Sequence, residues 1–125
     1  MDGLIIVDKP DGWTSHDVVL KLRKILRLKR VGHAGTLDPL ATGVLPLCLG
    51  PATRLADYVS NMGKTYRARL QLGIVTDTYD REGQVLVVES ASSITEAMIR
   101  NALQSFTGPI MQVPPMYSAL KRHGR

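Results

Sequence analysis

Hydrophobic and polar positions in the first thirty residues follow two different spacings. Residues 4–8 are apolar and β-branched, which is typical of a buried strand. After a proline–glycine turn, apolar residues recur at helical spacing, and Thr14 or Ser15 can cap the helix. The apolar positions of this helix are Val18, Leu22, Ile25 and Leu26. The chain is therefore predicted to open with a strand and a helix that has one apolar face.

The next thirty residues carry loop, strand and helix signals in turn. Residues 31–43 contain three glycines and one proline and are predicted to form a loop. Residues 44–49 predict a second strand, in which Pro46 favours an edge position or an irregular start. Residues 52–61 predict a short helix that ends at Gly63.

The second half of the chain predicts a hairpin and a further helix. Residues 65–74 alternate between apolar and polar side chains and predict a strand. Residues 84–89 are its expected partner, because residues 80–83 supply turn chemistry between the two. Ser93 and Glu96 have the spacing of a capping box, which predicts a helix that begins there.

Length and charge narrow the class of protein. The chain has 125 residues, which fits one compact domain, and a formal net charge of +5. A basic balance favours a polyanionic partner, either nucleic acid or an anionic membrane surface. Six cationic side chains lie within residues 21–30, namely Lys21, Arg23, Lys24, Arg27, Lys29 and Arg30. They suit either a solvated helix surface or contact with RNA, and the sequence leaves both open.

The cysteine content and the two ends of the chain predict the cellular location of the protein and whether it extends beyond residue 125. Cys48 is the only cysteine, so a reducing cytoplasm is the expected location. The N-terminus lacks the basic and apolar segments of a signal peptide, and the apolar runs are too short for a membrane span. The basic residues 121–125 carry no helix stop, so we expect the protein to continue beyond them.

The loop at residues 32–43 is the strongest candidate for chemistry. Glycines let its backbone approach a ligand, and Pro39 biases Asp38 towards an extended conformation. A rigidly held carboxylate could act as a nucleophile or a base. The alternative is a turn in which Asp38 only bonds nearby backbone amides. Phosphate-binding glycine motifs, metal-ligand spacing and a calcium-loop pattern are all missing from the sequence, so we expect no metal and no nucleotide cofactor.

Four segments, in the same order, resemble motifs of the bacterial tRNA pseudouridine synthase B family, which modifies uridine 55 of the T arm. The most specific is GHAGTLDPLATGVLPLCLGPATR at residues 32–54. The others are VDKPDGWTSHDVV at 7–19, KTYRARLQLGIVTDTYDREG at 64–83 and QVPPMYSALKRHGR at 112–125. Because the resemblance covers nearly the whole chain, it favours a catalytic carboxylate over a simple turn.

The resemblance implies a role for individual residues. Asp38 matches the catalytic aspartate, Tyr66 the tyrosine that packs against the target base, and His33 a histidine beside the flipped nucleotide. The candidate RNA contacts are Lys9, Arg54 and Lys64. Residues 112–121 match a structural stretch beneath the active site. The implied reaction rearranges uridine without a redox cofactor or a metal, and the implied partner is the T stem-loop of tRNA.

The resemblance also implies a fold and an organisation. The family fold is α+β, with a mixed, mostly antiparallel sheet and packed helices, and residues 1–125 would be the N-terminal portion of its catalytic domain. Family members continue to a tyrosine, an arginine that pairs with the catalytic aspartate, further strands and a C-terminal RNA-binding domain. We therefore expect this chain to be inactive alone, and to need no protein partner unless a second chain supplies the missing half.

Two other functions remain open at this point. One is the guide-RNA-dependent branch of the same superfamily, which shares the aspartate loop but works inside a multi-protein particle. The near-immediate start of the first motif favours the stand-alone enzyme. The other is a non-catalytic module that binds or folds RNA, which the basic balance alone would also explain.

Overall fold

The computed structural model describes residues 1–113 and divides the chain into two compact units, Met1–Tyr66 and Arg67–Arg125. The first unit contains β1 (Gly3–Lys9), α1 (Ser15–Leu26), β2 (Val31–His33), β3 (Gly43–Leu49), a 3-10 helix (Gly50–Leu55) and α2 (Ala56–Ser60). The second contains β4 (Ile74–Thr76), β5 (Val85–Val88) and α3 (Glu96–Gln104). All strand pairs of the described residues are antiparallel.

The first unit has its core between α1 and a three-stranded sheet of order β1-β3-β2. The buried apolar side chains of this core are Val18, Val19, Val31, Leu45, Leu47 and Leu49. Leu22 and Leu26 pack against it as predicted, but Ile25 is 62% exposed. Ile25 lies at the margin of the buried arc in the last turn of α1, and Val19 lies inside the arc instead.

Pro46 lies on the central strand, so the prediction of an edge strand was wrong. Its carbonyl accepts a hydrogen bond from Ala34 N at 2.8 Å, on the side of β3 that faces β2. The N–H and C=O of one strand residue point to the same side, and β2 ends at His33, one residue before Ala34. The proline ring therefore occupies a position where the sheet requires no N–H donor.

Helix α1 has a defined start and a defined end. Thr14 is its N-cap, and the side chains and backbone N–H groups of Thr14 and Asp17 form a reciprocal capping box. The helix ends where Arg27 takes a left-handed backbone conformation, with φ of 54°. Arg23 Nη2 donates to Val31 O at 2.8 Å and ties the last turn to β2.

Two predicted segments of the first unit have different boundaries in the structure. Part of the predicted loop, Val31–His33, pairs with β3 as a short strand. The predicted helix at residues 52–61 begins earlier, as a 3-10 turn with Pro51 at its start, and becomes α-helical only at Ala56. Proline suits this first turn because it needs no N–H there.

The second unit keeps the predicted hairpin but shortens it. Within the described residues, 65–72 form no strand, and pairing begins only at Ile74 opposite Val88. The turn is built on Asp80, whose Oδ1 accepts from Thr78 Oγ1 at 2.7 Å and from Glu82 N at 2.9 Å. These hydrogen bonds, that from Thr78 foremost, lower the pKa of the Asp80 carboxyl.

Helix α3 begins later than the sequence predicted. Its N-cap is Thr95, whose hydroxyl accepts from Met98 N at 3.3 Å, so the predicted box of Ser93 and Glu96 was wrong. Threonine and serine are comparable caps, and local sequence does not separate two candidates that lie two residues apart. The predicted structural stretch at residues 112–121 falls almost wholly outside the described residues.

Candidate active site

The residue before Asp38 is held by a side chain from the start of α1. Ser15, which is only 2% exposed, accepts from Leu37 N at 2.9 Å and donates to Leu37 O at 3.2 Å. Both polar groups of the Leu37 backbone are thus satisfied by one hydroxyl. Because 22 residues separate these partners, the loop is attached to a distant and regular part of the fold.

The residue after Asp38 is held by a buried lysine. The ammonium of Lys9 donates to Pro39 O at 3.1 Å, Trp13 O at 2.6 Å and Pro10 O at 2.9 Å. Pro39 O also accepts from Gly12 N at 2.9 Å. The side chain of Lys9 is 0% exposed, and the three donors of its ammonium match three carbonyl acceptors.

Asp38 itself presents a free carboxylate on a fixed backbone. The carbonyl of Asp38 accepts from Ala41 N at 3.0 Å, which closes a turn. Its side chain is exposed and forms no hydrogen bond with any of residues 1–113. The alternative interpretation, in which this carboxylate only bonds nearby amides, therefore does not describe the structure. A held backbone and an unengaged carboxylate together suit a group that meets a ligand.

A cavity of about 540 Å³ lies beside the Asp38 loop within the first unit. Its lining includes the loop segments on both sides of Asp38, α2 and the chain that follows it. These residues are Ala34, Gly35, Thr36, Leu37, Thr42, Gly43, Val44, Leu45, Pro46, Val59, Met62, Gly63, Lys64, Thr65 and Tyr66. Tyr66 and Lys64 thus reach the cavity, whereas Asp38 and His33 lie outside its lining. Its volume and its mostly apolar walls are in the range of small-molecule sites.

His33 is the last residue of β2 and pairs with Leu47 in the sheet. The side chain is half-buried, and its buried Nδ1 has no hydrogen-bond partner within the described part of the chain. A buried nitrogen without a partner is uncommon in folded proteins.

The three candidate RNA contacts have different surroundings. Lys9 is fully enclosed, and its ammonium is occupied by carbonyls, so the structure contradicts the RNA contact expected for it. Lys64 is exposed, but its ammonium is docked on Ser60 O and Met62 O. Arg54 is exposed on the 3-10 helix and forms no ion pair with residues 1–113.

Arg54 lies at the end of the sheet opposite to the Asp38 loop. Lys9 and Gly43 form the pair at the Asp38 end of the sheet, and Gly3 and Leu49 form the pair at the other end, just before the 3-10 helix. Six steps along β1 at about 3.3 Å each separate the two ends by about 20 Å. Arg54 follows the end of β3 that lies away from the Lys9–Gly43 pair, and it does not line the cavity beside the Asp38 loop.

Other features of the first unit bear on chemistry and location. Burial raises the pKa of the Cys48 thiol, so this group is not an activated nucleophile. Within residues 1–113, no group of three or more histidine, cysteine, aspartate or glutamate side chains is arranged to hold a metal ion. No described helix has the length and apolarity that crossing a bilayer would require.

Several residues of the site were missed by sequence reasoning. Ser15 was considered only as a helix cap, and Lys9 only as an RNA contact, yet both hold the loop that carries Asp38. Val59, which lines the cavity, was part of the helix predicted at residues 52–61, and Met62, which also lines it, lies between that helix and Gly63, where the helix was predicted to end. Each depends on a contact between segments distant in sequence, for which a single sequence offers no signal.

Comparison with known proteins gives a consistent result. Residues 23–125 match the family described as TruB family pseudouridylate synthase (N terminal domain). The chain is 57% identical over 124 residues to tRNA pseudouridine synthase B of Clostridium tetani, a match that covers 99% of this chain and 43% of that protein. It is 52% identical over 124 residues to the protein of the same name from Dehalococcoides mccartyi, covering 99% and 41%.

A solved structure also resembles the chain. It is described as the crystal structure of a Cbf5-Nop10-Gar1 complex, with 33% identity, a TM-score of 0.63 and coverage of 96% of this chain and 31% of that one. This confirms the α+β fold class. The chain spans about two fifths of the length of the curated relatives named here, with 43% and 41% of them covered. On these sequence and structural grounds, the chain belongs to the TruB family of pseudouridylate synthases, through its N-terminal domain.

Proposed function

We propose that this chain is the N-terminal portion of the catalytic domain of a cytoplasmic enzyme that converts uridine 55 in the T arm of tRNA to pseudouridine. Asp38 is the catalytic carboxylate. Family membership and the names of the relatives support the reaction class. The observation that carries the assignment of Asp38 is its attachment through both neighbours, Leu37 to Ser15 and Pro39 to Lys9, with the carboxylate left free.

The reaction rearranges bonds without changing composition. The bond from C1′ of the ribose to N1 of uracil breaks, the uracil turns, and C1′ joins C5. C5 then loses a proton and N1 carries one, so electrons and atoms balance. An ionised carboxylate can add to C6, attack C1′ or take a proton from C2′. Each route needs a carboxylate at a fixed point, which is what the loop of Asp38 provides.

The cavity beside the loop is the proposed site of the flipped base. Extruding a base from its stack costs a few kcal/mol, and stacking on an aromatic ring returns about 1–3 kcal/mol. Tyr66 lines the cavity and is 65% exposed, so its ring is accessible to a ligand and is not a core side chain. His33 would contact the nucleotide from the end of β2 through the accessible part of its half-buried ring.

Phosphate contacts are proposed at the far end of the sheet. Arg54 follows the end of β3 that lies about 20 Å along the sheet from the Lys9–Gly43 pair, so we assign it to the backbone of the stem rather than to the target base. Arg30 lies at the same end, since its carbonyl accepts from Gly50 N at 2.8 Å. Such contacts add affinity and salt dependence but little sequence selectivity.

The decisive experiment substitutes Asp38 in a chimaera in which this chain replaces the matching residues of the Clostridium tetani relative. The Asp38→Asn chimaera should bind T-arm RNA and form no pseudouridine, because the amide keeps the shape and loses the charge. Asp57→Asn, an exposed carboxylate on α2, is the matched control and should keep turnover. Substantial turnover by the Asp38→Asn chimaera would overturn the assignment, and product at another uridine would overturn the site specificity.

The chain by itself is proposed to be inactive, because it represents only 43% of the relative that it matches. A turnover assay with the 125-residue chain, beside the chimaera, tests this. Pseudouridine formed at a comparable rate by the chain alone would contradict the proposal.

A non-catalytic RNA-binding or RNA-folding role is the second candidate. The observation that favours it is the net charge of +5, with exposed cations at the far end of the sheet. It predicts salt-sensitive binding of T-arm RNA by this chain alone, and RNA remodelling that survives Asp38→Asn. Absence of salt-sensitive binding would count against it.

A further inference from the structure

The segment that carries Tyr66 has few attachments of its own. Residues 63–66 form neither helix nor strand, and no backbone hydrogen bond involves them within the described residues. Their hydrogen bonds come from one group only, the ammonium of Lys64. The position of Tyr66 at the cavity therefore depends on how Lys64 is held.

Lys64 is docked on the C-terminal end of α2. Its ammonium donates to Ser60 O and, at 3.1 Å, to Met62 O. The last carbonyls of a helix lack partners within the helix and carry partial negative charge, so a cation is favoured there. The side chain thus closes a short loop of chain back onto α2 and fixes the backbone two residues before Tyr66.

The stem of Lys64 also passes beside the loop that precedes Asp38. A Cβ built on Gly35 would lie 3.7 Å from Cε of Lys64, which is ordinary contact distance. Gly35 has a φ of +122°, a conformation that glycine adopts readily and other residues rarely do. The stem of Lys64 therefore lies close to Gly35, and both residues line the cavity beside the Asp38 loop.

We propose that Lys64 is a positioning residue that sets the place of Tyr66 relative to the Asp38 loop, which is a role different from contact with RNA. The proposal rests on the proposed function, since it assigns Tyr66 to the target base. Lys64 and Tyr66 both line the cavity, and only Thr65 separates them along the chain. Loss of the docked ammonium frees Tyr66 while leaving its ring and the carboxylate of Asp38 intact.

The test compares Lys64→Met with wild type in the chimaera. Methionine keeps the apolar stem and removes the ammonium. Displacement of a reacting group by about 1 Å can cost about 100-fold in rate, so kcat should fall by about 10- to 100-fold while KM stays near its wild-type value. The dependence of binding on salt should not change. Arg67→Met, which removes a neighbouring exposed cation without a described hydrogen bond, is the control for charge and should keep kcat.

A phosphate contact would give the opposite pattern. If Lys64 holds a phosphate, Lys64→Met raises KM, keeps kcat and reduces the slope of log affinity against log salt by about 0.7–0.9. That outcome overturns the proposal. So does a wild-type kcat in Lys64→Met when Asp38→Asn is inactive. If the chimaera with the unchanged chain forms no pseudouridine, it is the proposed function that fails.

A double-mutant cycle identifies the route of the effect. If Lys64 acts by placing Tyr66, Lys64→Met should cost little in a Tyr66→Ala background, because the ring it positions is gone. Equal losses of kcat in both backgrounds would show that Lys64 does not act through Tyr66. Lys64→Arg, which keeps the cation and two donors, should recover part of kcat.

Discussion

Replacing Lys9 with methionine tests whether the Asp38 loop is held in place by a buried ammonium. The substitution keeps the stem of a fully enclosed side chain and removes its three hydrogen bonds. Pro39 O keeps a second donor, Gly12 N at 2.9 Å, but Pro10 O and Trp13 O lose the ammonium as their donor. The loop therefore loses its tie to β1 and keeps the Gly12 N–H on Pro39 and the two hydrogen bonds between Ser15 and Leu37.

The cost in stability is a difference between two opposing terms. Leaving a buried acceptor unsatisfied costs about 1–3 kcal/mol, so the carbonyls of Pro10 and Trp13 lose about 2–6 kcal/mol together. The variant no longer has to bury a charge, and this stabilises the folded state by several kcal/mol of desolvation free energy. The net change should lie below about 3 kcal/mol, less than the 5–15 kcal/mol by which domains are usually stable. Lys9→Met should therefore remain folded.

The effect on activity should be larger than the effect on stability. Pro39 is bonded directly to Asp38, so a shift of about 1 Å at the proline moves the carboxylate by a similar amount and costs about 100-fold in rate. Urea unfolding of the chimaera gives the stability, and single-turnover formation of pseudouridine gives the rate. Lys21→Met removes the same charge from an exposed position on α1 and should leave unfolding within about 0.5 kcal/mol of wild type.

Two results would refute this reasoning. A Lys9→Met chimaera with wild-type turnover would show that the ammonium does not determine where Asp38 lies. A variant that keeps its turnover but loses the salt dependence of RNA binding would show that Lys9 contacts phosphate, against its enclosure in this structure.

Three further substitutions probe the same unit. Ser15→Ala removes both hydrogen bonds to Leu37 and should cost about 1–3 kcal/mol in urea unfolding, with a fall in turnover; unchanged values would remove Ser15 from the support of the loop. Hydrogen bonds from Thr14, first from its hydroxyl and then from its backbone N–H, lower the pKa of the Asp17 carboxyl. The stabilising contribution of Asp17 is therefore present above the ordinary pKa of 3.8 and is lost as the pH falls through the lowered pKa. The difference in urea midpoint between wild type and Asp17→Asn should close below pH 3.8, and a difference that widens in acid would contradict this sign. Cys48→Ser should destabilise by about 1–3 kcal/mol more than Cys48→Ala, because the site is closed to water, and equal unfolding midpoints would show that the hydroxyl finds a partner.

The elements of the first unit were predictable because local signals and packing agree there. The apolar run of β1, the cap of α1 and the strand after the loop all appear where the sequence places them. The errors share one cause. Val31–His33 becomes a strand, and Pro46 becomes central, through pairing between segments that local patterns do not connect. Register between distant strands is set by tertiary contacts and is not encoded in a single segment.

The second unit was less predictable because its described elements bury little. All four residues of β5 are exposed, and Leu103 in α3 and Phe106 just after it are 55% and 68% exposed. An alternating pattern predicts a strand only if a neighbour pairs with it, and within residues 1–113 no neighbour pairs with 65–72. Residues 65–72 have a pattern that suits a strand, but they form a strand only where a partner strand pairs with them.

Like the fold, the candidate site was predictable where it depends on local sequence and was not predictable where it depends on tertiary contacts. Residue type and spacing made Asp38 a candidate, because a carboxylate among glycines beside a proline is a local feature of the chain, and the resemblance to the family motif favoured it as the catalytic residue. What makes that carboxylate useful is the pair of attachments through Leu37 and Pro39, and their partners come from the start of α1 and the end of β1. If Asp38 is the catalytic carboxylate as proposed, the sheet and the helix contribute to catalysis, because their hydrogen bonds to Leu37 and Pro39 restrict how far Asp38 can move. It follows that substitutions at Ser15 or Lys9 should impair turnover without touching the substrate, and that an intact Asp38 motif alone would not identify an active member of the family.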